Sequence, residues 1–308
     1  MLLDHRISPS ASRFSAGVED DRPDPLWMIH ERRRQMFAES RKERLARLYA
    51  AWRQSLMRDA MPMTGTVLHQ LFNPPGLDDE GLPDAALAGN HGLCGRIQDD
   101  LSPDLLYTAY RRGLLPRFFS GALAWQSPKV RRVVEPGHAP ERQIVRVALE
   151  KGAYRVMLDR HFDSVLVQCA RSQSALSRPV WLSASNMGLY TNLFDLGRAH
   201  CFEVFTPEGD RVAAGFGISV GNVFVLEVCY GQAEAIEAGL VILNRTLSKL
   251  KYRWHDVSAL PVRLVPQSSL IERDRFIVAL LSSAAHNTEK WTRYTPPKTQ
   301  RHPRSKAA

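Results

Sequence analysis

No run of 18 or more apolar residues occurs in the 308-residue chain, so it offers no segment that could cross a bilayer as a helix. The opening residues, Met1 to Phe14, lack the apolar central stretch of a secretory leader, and a cytoplasmic location with no membrane partner is expected. Cysteine is scarce. Cys94, Cys169, Cys201 and Cys229 are widely separated and form no CxxC pair, so they read as small buried hydrophobes, and neither a disulfide framework nor a metal site is expected. No internal repeat is visible. Positive charge, in contrast, is abundant: the formal net charge is +9. Residues 111–160 hold eleven Lys/Arg against four acids, and residues 287–308 hold six against one. The tail reads as a solvated, disordered basic end, whereas the inner cluster lies in patterned sequence, where cationic side chains would suit a polyanion.

Periodicity divides the chain. Residues 1–90 form an N-terminal extension: 1–30 are irregular, 31–58 read as one amphipathic helix, and 60–90, rich in Gly and Pro, read as a linker or an arm wrapped on the body. The helix rests on Leu45, Leu48, Tyr49, Trp52 and Leu56, which recur at helical spacing. A small N-terminal domain is expected over 91–140. In it Ser102 is a natural N-cap, Pro103 opens a helix and Gly113 ends it. A larger domain spans 141–286, with helices over 142–151, 161–171 and 184–196 (Gly197 its C-cap) and a strand at Tyr154–Leu158. Three strand-like runs follow, His200–Phe205, Arg211–Val220 and Val223–Tyr230, separated by turn signals; they predict an antiparallel meander. A long helix built on Ile236, Leu240, Leu243, Leu247 and Leu250 then leads into a short strand, Trp254–Val257. The fold class is therefore α/β (α+β), with the element order of a GNAT-type acyltransferase-like core.

Several stretches carry a family resemblance. Asp100-Leu-Ser-Pro-Asp-Leu-Leu-Tyr-Thr-Ala-Tyr-Arg-Arg-Gly-Leu-Leu-Pro116 resembles "GGDLSPxxLLxAYxxGIFPWF", and Ala124-Trp125-Gln126-Ser127-Pro128 resembles "WWSP". Tyr154-Arg155-Val156, Phe162, Trp181 and the run Asp195–Val204 resemble "YRVT…F…TWI…ELGHAHSIEVW". Gly217–Glu227 resembles "GVAIGxxFxGESMF", and His255-Asp256-Val257-Ser258 falls where "IDCQ" would fall. Together these pieces, collinear over about residues 92–280, resemble the bacterial leucyl/phenylalanyl-tRNA–protein transferases.

The resemblance implies aminolysis of an ester. The α-amine of an acceptor protein attacks the carbonyl joining Leu, Phe or Met to the 3′ ribose of tRNA, and protein turnover through N-terminal residues follows. The ester is already activated, so no cofactor is expected. The amine needs a carboxylate that holds it and helps remove its proton, and the carbonyl oxygen needs donors. Asp256 is the first choice for the amine, with Ser258 where the family has glutamine; the alternative is that Asp256 is only a strand-end turn residue. Glu227, in an apolar strand, is expected either to have a partner or task there or to face water. As a site residue it would suit the Arg or Lys that opens the family's acceptors. Trp125, Trp181, Phe118 and Phe119 are candidates for the amino-acid pocket or for stacking on the terminal adenosine, or are plain core. Arg111, Arg112, Arg117, Lys129, Arg131 and Arg132 are candidate tRNA contacts. Arg117 stands where the family has tryptophan, and Gln126 replaces a second tryptophan.

Two alternatives stay open: an acyltransferase for another amine, and a catalytically altered paralogue that binds tRNA or a protein end. Against acetyl-CoA as donor, the junction Tyr230-Gly-Gln-Ala-Glu-Ala-Ile-Glu has a single early glycine, and its two glutamates oppose phosphate at the helix start.

Overall fold

A computed structural model describes residues 26–59, 76–89, 92–97, 101–119, 122–171 and 181–282. Nothing predicted for 1–25, 60–75 or the basic tail 287–308 falls within these.

The chain is mixed α/β. Helices α1 (Leu26–Phe37) and α2 (Arg41–Asp59) stand where one helix is predicted over 31–58. The break has a local cause. Ser40 Oγ accepts from Glu43 N at 3.2 Å, and Glu43 Oε2 accepts from Ser40 N at 2.8 Å, a reciprocal capping box that starts a new helix. The expected apolar face of this region is not buried over its described part: Leu45, Leu48 and Tyr49 are exposed. The side chains of Trp52 and Leu56 lie outside the described residues. Residues 76–89 lie against the body of the protein. Leu82, Ala85 and Ala88 are buried, and Arg273 donates to the carbonyls of Ala88 and Gly89.

A three-stranded antiparallel sheet, order β1-β3-β2, is formed by β1 (Leu93–Arg96), β2 (Leu115–Phe119) and β3 (Ala122–Gln126). Between β1 and β2 lies α3 (Pro103–Arg111). Ser102 caps it as predicted, accepting from Leu105 N at 3.1 Å, with Pro103 in the first turn. The small sheet has no counterpart in the sequence reading.

The larger sheet has seven strands in the order β10-β4-β9-β8-β7-β6-β5. They are β4 (Val130–Val134), β5 (Arg155–Leu158), β6 (Ala199–Phe205), β7 (Arg211–Val220), β8 (Val223–Gly231), β9 (Trp254–Asp256) and β10 (Ser269–Glu272). β6, β7 and β8 form the predicted antiparallel meander, and β8 pairs with β9 in parallel. That parallel pair requires a crossover, which is supplied by α7 (Ala233–Lys249).

Helices cover both faces. On one, α7 packs through Ile236, Leu240, Leu243 and Leu247 against Phe202, Val204, Phe224 and Leu226. Gly239 permits the close approach, since a Cβ there would lie 2.4 Å from the Phe202 ring. α4 (Gln143–Glu150) sits outside α7 through Val145, Ala238 and Val241. On the other face lie α3, α5 (Phe162–Arg171), α6 (Ala184–Asp195) and α8 (Arg273–Ser282), joined in one core with Phe216, Val225 and Trp254. Gly197 ends α6 as predicted: its φ is 66°, its N–H bonds to Phe194 O and that of Arg198 to Leu193 O. Among the described residues no helix is long and apolar enough to cross a membrane.

Candidate active site

The site begins with a fault in a ladder. β7 and β8 pair as Phe216↔Val228 and then Gly217↔Leu226, so Glu227 is the extra residue of a β-bulge. Side chains normally alternate across a sheet, but the bulge interrupts that alternation. Val225 and Val228 pack on the α6 face while Leu226 and Cys229 pack on the α7 face. Glu227 therefore enters the α6 face in the middle of an apolar strand. Its side chain is fully buried. Oε2 accepts from Arg117 Nη1 at 2.8 Å, whereas Oε1 is buried and has no hydrogen-bond partner among the described residues. A buried carboxylate oxygen left without a donor is uncommon and costly, and a functional task is one of the few reasons for keeping it.

Arg117 arrives from β2. Its Nη1 also donates to Pro116 O at 2.9 Å, and its guanidinium lies 5.1 Å from the Trp181 ring centroid, within cation–π range. Burial pulls this guanidinium's pKa down, but Glu227 together with Tyr110 and Tyr190 more than restores it, so the net direction is upward. Beside the pair, Tyr110 of α3 and Tyr190 of α6 join hydroxyls at 2.9 Å, and Tyr190 packs against Trp181 with ring centroids 5.5 Å apart. Burial pushes both phenols well above their ordinary pKa and the charge on Glu227 adds to it, so both stay protonated and able to donate. The sequence reading passed over both tyrosines as site residues. Tyr110 lies within the stretch Asp100–Pro116 that carries the family resemblance.

Asp256 stands on β9 opposite Val225 of β8, on the same face as Glu227. It is 1% exposed and its carboxylate is engaged. Oδ2 accepts from Arg131 Nη1 at 3.1 Å; Oδ1 accepts from Ser258 N at 2.9 Å and from Ser258 Oγ at 2.5 Å. Ser258 Oγ in turn accepts from Arg132 N at 2.8 Å. Asp256 and Ser258 thus do come together, as a closed hydrogen-bonded unit around a buried arginine. Burial lowers the pKa of Arg131, opposed by Asp256; Arg117 and Glu227 are close enough to act on it as well. Both acids therefore belong to one electrostatic cluster.

The expected tRNA contacts separate into distinct groups. Arg131 is a correction. At 1% exposure, with Nη2 donating to Gly113 O at 2.9 Å and its guanidinium 5.1 Å from the Phe276 ring, it cannot meet a phosphate. Arg117 is turned to Glu227. Arg112 pairs with Asp78 and Glu80 of the arm, and Arg132 donates to Leu260 O at 3.1 Å. Arg111 and Lys129 are exposed. Among the aromatic candidates, Trp125 is 3% exposed within the core and Trp181 carries the Arg117 contact. Phe118 is half-buried, and the side chain of Phe119 lies outside the described residues. Among those residues no group of three or more His, Cys, Asp or Glu could hold a metal ion.

The family described as leucyl/phenylalanyl-tRNA protein transferase matches residues 133–277. The chain is similar to the leucyl/phenylalanyl-tRNA–protein transferase of Anaeromyxobacter sp. (strain K), 34% identical over 175 residues, 56% of this chain and 73% of that protein. The protein of that name from Cellvibrio japonicus (strain Ueda107) is 34% identical over 199 residues, 63% of this chain and 83% of its own length. The one from Syntrophus aciditrophicus (strain SB) is 29% identical over 220 residues, 70% and 91%. Among solved structures, FemX overlaps 47% of this chain and 60% of its own at 11% identity, with a TM-score of 0.38, too low to bear on fold or function.

Proposed function

Since the chain belongs to the leucyl/phenylalanyl-tRNA–protein transferase family, we propose that it moves leucine or phenylalanine from aminoacyl-tRNA onto the N-terminal amine of an acceptor protein. The observation that carries the assignment of the site is the bulged Glu227, buried, with Oε1 unpartnered among the described residues. We assign the acceptor's α-ammonium to this oxygen rather than to the fully bonded Asp256; because Glu227 is fully buried, side chains that cover it must move to admit the acceptor. The carboxylate orients the ammonium and takes its proton, the freed amine attacks the ester carbonyl, and a C–N bond forms as the C–O bond to the 3′ ribose breaks. The ribose oxygen leaves with a second proton from the attacking nitrogen, and Glu227 returns to the carboxylate by releasing the first to solvent. Asp256 and Ser258 act one step back, by fixing Arg131. The meander β6–β8 followed by α7 and the parallel strand β9 supports a GNAT-type core for this chemistry. Glu234 in the first turn of α7 opposes a phosphate there and speaks against acetyl-CoA as donor.

The test uses the full chain, labelled Phe-tRNA and peptides differing only in their first residue. Label should pass to a peptide and fall at least about a hundredfold in Glu227→Gln, within the range that loss of a general base gives. Tight tRNA binding with no peptide labelled would reject transfer and favour the altered paralogue.

A further inference from the structure

The residue paired with Glu227 is one at which this chain departs from its family's pattern, for Arg117 stands where the family has tryptophan. The resemblance implies acceptors that open with Arg or Lys, for which a carboxylate in the site is the natural counter-charge. Here Glu227 already holds a guanidinium, that of Arg117, at 2.8 Å. That guanidinium also lies against Trp181, so the carboxylate and the neighbouring aromatic ring are both engaged by a side chain of the protein itself. An incoming basic residue would have to displace Arg117 and leave it uncompensated, or sit beside it as a like charge.

Both described hydrogen bonds of Arg117 leave from Nη1, to Pro116 O and Glu227 Oε2. Nε and Nη2 meet no acceptor among the described residues, and the side chain is 23% exposed. Those two nitrogens form the fork that binds a carboxylate through two parallel hydrogen bonds. We propose that Arg117 fills from within the chain the place of the acceptor's basic residue, and selects acceptor proteins whose first residue is Asp or Glu. The acceptor's α-ammonium then lies at Glu227 Oε1 and its side-chain carboxylate on the Arg117 fork. This deepens the transfer reading and rests on it.

The experiment compares peptides beginning with Glu, Ala and Arg in two measurements on the full chain: transfer of label from Phe-tRNA, and equilibrium binding by fluorescence anisotropy. Wild type should favour the Glu peptide over the Arg peptide by about tenfold or more in both, the scale of one charge-assisted hydrogen bond. Arg117→Trp, which installs the family's residue, should reverse the order. Arg117→Lys keeps the charge without the fork, serves if the tryptophan variant misfolds, and should retain only part of the preference. Label passing to the Arg peptide best in wild type would overturn the proposal and leave transfer standing, as would equal use of all three. Binding in the order Glu, Ala, Arg with no label transferred would keep the role of Arg117 and reject transfer.

Discussion

Replacing Arg131 by methionine tests its assignment to the core rather than to the tRNA. In the fold it is a buried ion-pair partner: Asp256 lies 3.1 Å away, Gly113 O takes a second hydrogen bond and Phe276 lies beneath the guanidinium. Methionine fills similar volume and packs on Phe276, but it leaves Asp256 at 1% exposure with only the Ser258 donors and no counter-charge. Breaking a buried pair from one side costs about 3–5 kcal/mol. At roughly 2–4 °C per kcal/mol for a domain of this size, the melting temperature should fall by about 6–20 °C. Asp256→Leu should cost a similar amount, for it strands the arginine instead. The double replacement Arg131→Met/Asp256→Leu should recover most of the loss, because a well-packed apolar pair can match a buried ionic one. Thermal and urea unfolding of the four proteins completes a double-mutant cycle, with an expected coupling of several kcal/mol. Were Arg131 a tRNA contact, Arg131→Met would melt normally, bind tRNA more weakly and lower the salt slope of binding by about one. That outcome, or additive effects of the two single changes, would refute the pairing as the residue's role.

Two further outcomes follow from the α7 face. His255 is buried with Nδ1 on Asn244 Oδ1 at 2.7 Å and Nε2 unpartnered among the described residues; burial pushes its pKa down to about 3. Between pH 6.5 and 3 the unfolded chain accepts a proton that the folded chain refuses, so stability should fall with falling pH by up to about 1.4 kcal/mol per unit from this group; His255→Gln should flatten that limb in urea titrations, and an unchanged slope would exclude His255 as its source. Gly239→Ala should destabilise despite better helix propensity. The new Cβ would meet the Phe202 ring at 2.4 Å, overpacking costs about 1–3 kcal/mol against a propensity gain of about 1, and Phe202→Leu should relieve it, so stabilisation by the alanine alone would contradict the close approach.

The parts of the fold legible in the sequence are those written in local terms. Ser102-Pro103 announces the start of α3 and Gly197 the end of α6 through their own backbone preferences. The meander and α7 show through periodicity of 2 and 3.6. What stayed hidden depends on distant partners. β10 pairs with β4 across more than a hundred residues, and short strands such as Leu93–Arg96 and Ala122–Gln126 carry too few positions for a period to emerge. The division between α1 and α2 was in fact readable. Ser40 and Glu43 are spaced as a capping box, although the apolar spacing of Leu45, Leu48 and Tyr49 by itself fits a continuous helix.

The site divides along the same line. Glu227 and Asp256 could be nominated because a charge in an apolar strand must be accounted for, but nothing local announces the bulge that sets Glu227 beside Val228 on one face. Arg117 and Arg131 are engaged inside the fold for a reason no local reading contains. Counting eleven cations against four acids over 111–160 treats charges as balanced only by sequence neighbours. Arg117 finds its carboxylate 110 residues away and Arg131 finds one 125 residues away. With both neutralised inside the protein, the cluster that seemed made for a polyanion is close to balanced where it touches the chemistry. Of the original six, Arg111 and Lys129 are the two that the fold leaves exposed.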